Sequence, residues 1–165
     1  MSDMKSGYHA PPPPAPGEFA NTRVAIVATR WNAEVVDALV EGAANALRDW
    51  GMADNNVSVF RAPGAYELPL ACEQLARGKH FDGVVALGAV IRGDTPHFDF
   101  VAGECARGLQ EVMLRHALPV GFGVLTVNTA EQAAERAGEG QDNKGYEAAQ
   151  AVLEMIRFEW EVDAP

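Results

Sequence analysis

Gly83-Val-Val-Ala-Leu-Gly-Ala-Val-Ile91 is an unbroken run without a charged or polar side chain. It is far too short to span a bilayer. It is also too continuous for a strand with one wet face, which would alternate apolar and polar residues. A strand buried on both faces fits. The turn Arg92-Gly-Asp-Thr-Pro-His97 follows, and after it Phe98 to His116, where Phe98, Val101, Ala102, Cys105, Leu109, Val112 and Met113 recur at helical spacing. The unit is strand, turn, helix.

The same unit repeats on both sides. Val24 to Thr29 predicts a β-branched buried strand, and Glu34 to Trp50 a helix closed by Gly51. Val57 to Arg61 predicts a second strand, with Pro69 in the first turn of a helix to Arg77. Val120 to Thr126 predicts the fourth strand, followed by a short helix Thr129 to Arg136 and a last helix Gly145 to Glu161. Alternating strands and helices with continuously apolar strands predict an α/β fold: a parallel sheet covered by helices on both faces. Ligands of such open sheets bind beyond the carboxyl ends of the strands.

Residues Met1 to Thr22 read differently. Pro11 to Pro14 and Pro16 predict a flexible, solvated extension or a polyproline II stretch, so the folded domain is expected over 23–165. A domain of this length can build its own core. The net charge of −10 argues against a nucleic-acid binder, which needs a basic face. It also means that a site for a phosphate must assemble its own local positive field. Cys72 and Cys105 have no metal-ligand spacing and fall on helical patterns, so both are read as buried small side chains. No secretory h-region is visible near the N-terminus, and a cytoplasmic protein that meets no membrane is expected.

Four loops lie at the strand ends. In the loop after the third strand, Thr95 is a good N-cap and Pro96 a good first helical residue, so the backbone amides and helix dipole make an anion-ready turn. Gly93 allows close approach to the backbone. His97 sits in the first helical turn, where the positive helix end favours the neutral imidazole that can take or give a proton. In Ala62-Pro-Gly-Ala-Tyr-Glu-Leu68, Tyr66 and Glu67 offer an aromatic wall and a hydroxyl-binding carboxylate; a plain loop with a first-turn Glu is the equal alternative. Trp31, beside Asn32, can stack on a planar ring or simply pack on the sheet edge. Arg136 and Lys144 are cations for an anion or plain surface charge. Lys144 precedes Gly145 and Tyr146, so the segment is no Walker A loop, and no dinucleotide GxGxxG follows the first strand.

Taken together, Pro63-Gly-Ala-Tyr-Glu-Leu-Pro69, Gly88-Ala-Val-Ile-Arg-Gly-Asp-Thr-Pro-His-Phe-Asp-Phe-Val101, Gly123-Val-Leu-Thr126, Arg136-Ala-Gly138 and Asn143-Lys-Gly145 resemble the lumazine synthase family in order and spacing. The resemblance runs from Arg23 to about Trp160. It implies a flavodoxin-like three-layer α/β/α sandwich with a four-stranded parallel sheet. It implies a transferase of riboflavin biosynthesis that forms 6,7-dimethyl-8-ribityllumazine from 5-amino-6-(D-ribitylamino)uracil and 3,4-dihydroxy-2-butanone 4-phosphate without a cofactor or metal. Carried over by motif, Trp31 stacks on the pyrimidine, in place of the family's usual Phe, with Asn32 beside it. Ala65, Tyr66 and Glu67 line the pyrimidine and ribityl pocket, and Ala89, Val90 and Ile91 present backbone groups to the heterocycle. Asp94 and Thr95 sit at the phosphate turn, His97 transfers protons, and Arg136 binds phosphate with Lys144 nearby. Phe122 covers the ring from a neighbouring subunit of a homopentamer. Family members form pentamers, decamers or 60-subunit shells. The acidic stretch Glu139-Gly-Gln-Asp142 and the Pro-rich tail depart from shell-forming members and favour isolated or paired pentamers. The competing readings are a non-catalytic flavin- or lumazine-binding member, an electron carrier and a receiver domain. The electron carrier lacks its phosphate loop at Arg30-Trp-Asn-Ala33, and the receiver lacks its acids at Ala28-Thr-Arg30.

Overall fold

The computed structural model describes residues 7–165. Four strands form one parallel sheet: β1 (Val24–Thr29), β2 (Val57–Ala62), β3 (Gly83–Ile91) and β4 (Val120–Val127), in the order β2-β1-β3-β4. Helices α1 (Ala33–Asp49), α2 (Leu68–Gly78), α3 (His97–His116), α4 (Ala130–Arg136) and α5 (Lys144–Asp163) connect and cover it. This is the flavodoxin-like α/β arrangement.

The strand sequences explain the order. Every residue of β1 is buried, as a central strand covered on both faces requires. The edge strand β2 leaves Val59 and Phe60 about half exposed. Along β3 the side chains alternate between two cores. Val85, Leu87 and Ala89 join α1 and α5 through Leu39, Leu47, Leu153 and Ile156. Val84 and Ala86 join α2 and α3 through Leu68, Cys72, Cys105 and Leu109. Cys72 and Cys105 are buried and free, and burial pushes both thiols up to about 12.

The α1–α5 contact is unusually close. A Cβ on Gly145 would lie 2.0 Å from the Leu39 carbonyl oxygen, so only glycine fits. Asn143 locks the same junction. Its Oδ1 accepts from the Gly145 and Tyr146 amides at 2.7 and 3.1 Å, capping α5. Its Nδ2 donates to the Ala38 and Gly138 carbonyls. At the other end of α1, Gly51 (φ 90°) closes the helix as expected. Its amide donates to Arg48 O, and the Met52 amide to Leu47 O, which is the Schellman pattern.

Two expectations need correction. The cap expected at Thr95 moves by one residue: Pro96 has a non-helical ψ of 3°, so α3 begins at His97, and Thr95 Oγ1 lies 3.4 Å from the His97 amide. The N-terminal extension is not solvated throughout. Phe19 is fully buried, with its ring 5.5 Å from that of Trp50 and 5.3 Å from that of Trp160. Arg157 Nε donates to Glu18 Oε2 at 2.7 Å and Nη1 to the Pro12 carbonyl at 3.1 Å. The hydrogen bond from Arg157 holds the Glu18 carboxyl below its ordinary range. An apolar slot between α1 and α5 captures the aromatic ring, and that outweighs the solubility of the prolines. The expectation for Met1 to Ser6 lies outside the described residues.

Candidate active site

The strand order reverses between β1 and β3, so the loops leaving these strands diverge and open a crevice at their carboxyl ends. A groove of about 620 Å³ occupies that position. Its lining includes Trp31 and Asn32 after β1, Gly64 to Glu67 after β2, Ala89 to Ile91 at the end of β3, and His97 with Phe100 and Val101 on α3. Its size suits a small organic ligand.

Each side chain is placed for a local reason. Asn32 adopts the left-handed conformation (φ 56°, ψ 52°), which Asn tolerates better than most residues. Its Nδ2 donates to the Ala89 carbonyl at 3.0 Å, tying the β1 loop to the end of β3 and occupying one lone-pair direction of that carbonyl. This turn leaves the Trp31 indole 71% exposed over the groove, not packed on the sheet. Gly64 lies beneath the indole. A Cβ there would be 3.3 Å from Trp31 Cδ1 and 3.8 Å from Glu67 Oε2, so the ring edge and the carboxylate both approach one backbone position. A short 3₁₀ turn, Ala65–Glu67, precedes α2 and exposes Tyr66. His97 is exposed as the first residue of α3.

The structure thus brings together Trp31, Asn32, Ala65, Tyr66, Glu67, Ala89, Val90, Ile91 and His97 in one groove. Other expected residues do not line it. Asp94 and Thr95 lie in the exposed turn immediately before His97. Arg136 ends α4, its Nη1 donating to the Gln132 carbonyl at 3.0 Å. Lys144 opens α5 and pairs with Glu147 at 2.8 Å. Phe122 is half exposed on edge strand β4, on the sheet face that carries α3. Gly64, Phe100 and Val101 belong to the groove without having been expected there. Phe100 had a signal: it stands three residues after His97 and so shares its helix face, yet it lies outside the α3 core stripe.

The groove combines an aromatic plate, a carboxylate, backbone groups at the end of a strand and an imidazole. That set can hold a planar polar heterocycle and move protons beside it. The sequence model of the 6,7-dimethyl-8-ribityllumazine synthase family matches residues 21–159. The chain belongs to this family. Membership makes it an enzyme of riboflavin biosynthesis acting on small molecules. The match spans all four strands and ends within α5. Among the described residues, no helix is long and apolar enough to cross a membrane, and no cluster of three or more His, Cys, Asp or Glu could hold a metal ion.

Proposed function

We propose that the chain is the transferase that condenses 5-amino-6-(D-ribitylamino)uracil with 3,4-dihydroxy-2-butanone 4-phosphate to 6,7-dimethyl-8-ribityllumazine, releasing phosphate and water. The observation that carries this reading is the convergence of Trp31, Glu67 and His97 on one groove at the reversal point of the sheet. Trp31 stacks on the pyrimidine, and Glu67 accepts hydrogen bonds from ribityl hydroxyls. Ala65, Tyr66 and the Ala89–Ile91 backbone fix the heterocycle's orientation, with Asn32 holding the Ala89 end in place.

The turn Asp94-Thr95 and the start of α3 receive the sugar phosphate, with Arg136 and Lys144 as its counter-charges. The 5-amino group attacks the ketone, and loss of water gives an imine. Proton removal next to the imine expels phosphate. The enol left behind tautomerises to a ketone, and the ribitylamino nitrogen closes the ring on that carbonyl with loss of a second water. His97 carries protons between these steps, and holding both reactants in register supplies much of the rate. The step needs no cofactor.

A single chain leaves the groove open, with Trp31, Tyr66 and Phe100 exposed around it. The assembly that completes it is a homopentamer, alone or paired, in which Phe122 of the partner subunit covers the ring. The deciding experiment follows lumazine fluorescence with both substrates against an enzyme-free control, since the reactants also condense unaided. Saturable acceleration is expected. A rate equal to the control, together with tight binding of the lumazine, would replace this reading with that of a binding protein.

A further inference from the structure

Gly64 touches two of the groove's ligand-facing residues at once. Its carbonyl accepts from the Glu67 amide at 3.2 Å, closing the 3₁₀ turn that carries the carboxylate. The edge of the Trp31 indole lies against the open side of its Cα. A Cβ built there would meet Trp31 Cδ1 at 3.3 Å, Trp31 Nε1 at 3.5 Å and Glu67 Oε2 at 3.8 Å, and these are its three nearest atoms. Gly64 is buried, while Trp31 and Glu67 stand exposed around it.

Backbone conformation does not demand a glycine at this position. Its φ of −162° and ψ of 179° are extended values open to any residue. The missing side chain matters for contact instead. A carbon 3.3 Å from the indole is tighter than an ordinary van der Waals contact, so one side must give by a few tenths of an ångström. The Trp31 main chain is held: Asn32 follows it in the left-handed conformation and donates to the Ala89 carbonyl at 3.0 Å. The indole is free to move, because it is 71% exposed. An alanine therefore tilts the ring and leaves the core alone. The Glu67 carboxylate, at 3.8 Å, has no need to shift, so the spacing between plate and carboxylate changes.

We propose that Gly64 is a positioning residue that sets the spacing between the aromatic plate and the Glu67 carboxylate, and so selects a planar ring bearing a hydroxylated chain over the ring alone. The proposal deepens the condensation reading above, from which it takes the heterocycle and the ribityl hydroxyls as what the two side chains hold. A bare ring follows a tilted plate freely. A ring tethered to Glu67 through its chain cannot, because moving with the plate lengthens or bends the hydrogen bond to the carboxylate.

The test titrates the wild-type chain, Gly64→Ala, Trp31→Ala and the double variant Gly64→Ala/Trp31→Ala with two ligands. One is 6,7-dimethyl-8-ribityllumazine, and the other is 6,7-dimethyllumazine, the same ring without the chain. In Gly64→Ala the Kd of the ribityl ligand is expected to rise about tenfold, the scale of one weakened hydrogen bond to a charged group, and that of the bare ring by less than about twofold. KM for the pyrimidine follows the ribityl ligand, while KM for the butanone phosphate and the melting temperature stay near wild type. Adding Gly64→Ala to Trp31→Ala costs nothing further, because the indole it would push is gone. Equal losses for both ligands in Gly64→Ala would overturn the spacing role in favour of plain obstruction of the groove, as would a further loss in the double variant. An unchanged preference in Gly64→Ala, or a wild-type chain with no preference for the ribityl ligand, would overturn it too. A wild-type chain that prefers the ribityl ligand but does not accelerate condensation removes the proposed function, while the variants still decide the spacing.

Discussion

Truncating Phe19 tests whether the N-terminal segment is part of the folded body. The ring is fully buried between Trp50 and Trp160, with Arg157 4.8 Å above the Trp50 ring. Removing a buried Phe side chain costs roughly 3–5 kcal/mol when the surroundings cannot collapse. Here one wall of the slot is a terminal segment that is free to peel away. The loss is therefore limited to the docking energy of that segment, at the lower end of the range. About 3 kcal/mol in a chain of this length lowers the melting temperature by roughly 6–12 °C. Calorimetry of Phe19→Ala at fixed protein concentration measures it, because any assembly makes melting concentration-dependent. Tryptophan emission should shift to the red as Trp50 and Trp160 gain water. A melting temperature within about 1 °C of wild type, with unshifted emission, would refute the reasoning and return the segment to solvent.

Three further outcomes are expected. His97→Ala should lower lumazine formation about 10²-fold or more while the assembly, checked by size-exclusion with light scattering, stays the same. Gly145→Ala should destabilise the chain by about 3 kcal/mol or more in urea unfolding, because its Cβ meets the Leu39 carbonyl, a backbone atom that cannot turn aside. Stability should fall as pH rises from 9 towards 12. Burial pushes Cys72 and Cys105 from 9.0, and burial with the hydrogen bond to Asp49 pushes Tyr146 from 10.0, all to about 12. The unfolded chain therefore releases those protons first. The neutral forms stabilise the fold fully below the ordinary values, and that contribution is lost as pH climbs through the raised ones. Urea midpoints across this range, repeated with Cys72→Ala, should show a shallower decline in the variant.

The sheet was legible because burial on both faces writes itself as an uninterrupted apolar run, and β1 and β3 begin and end where those runs do. The groove was legible because its residues follow the strand ends, where an open parallel sheet puts its ligands. Local patterns could not reveal pairings between distant residues. Phe19 stands in a proline-rich stretch without periodicity, and the partner of neighbouring Glu18 is 139 positions away. The Pro96 ψ that displaced the start of α3 depends on the turn it completes, not on its own preference. Arg136, Lys144 and Phe122 lie outside the groove of the single chain, and no spacing along one sequence reveals which of its residues share a pocket.

The aromatic slot around Phe19 also determines where attachments to this molecule would go. Trp50 ends α1, and Trp160 lies near the end of α5, so Phe19 and the last turns of α5 are gathered at the amino edge of the sheet, while the groove opens at the carboxyl edge. A tag, a surface tether or a carried protein attached after α5 leaves from that edge, turned away from the chemistry. The exposed turn at Asp54, directly before β2, lies at the same edge, so an insertion there leaves the groove undisturbed.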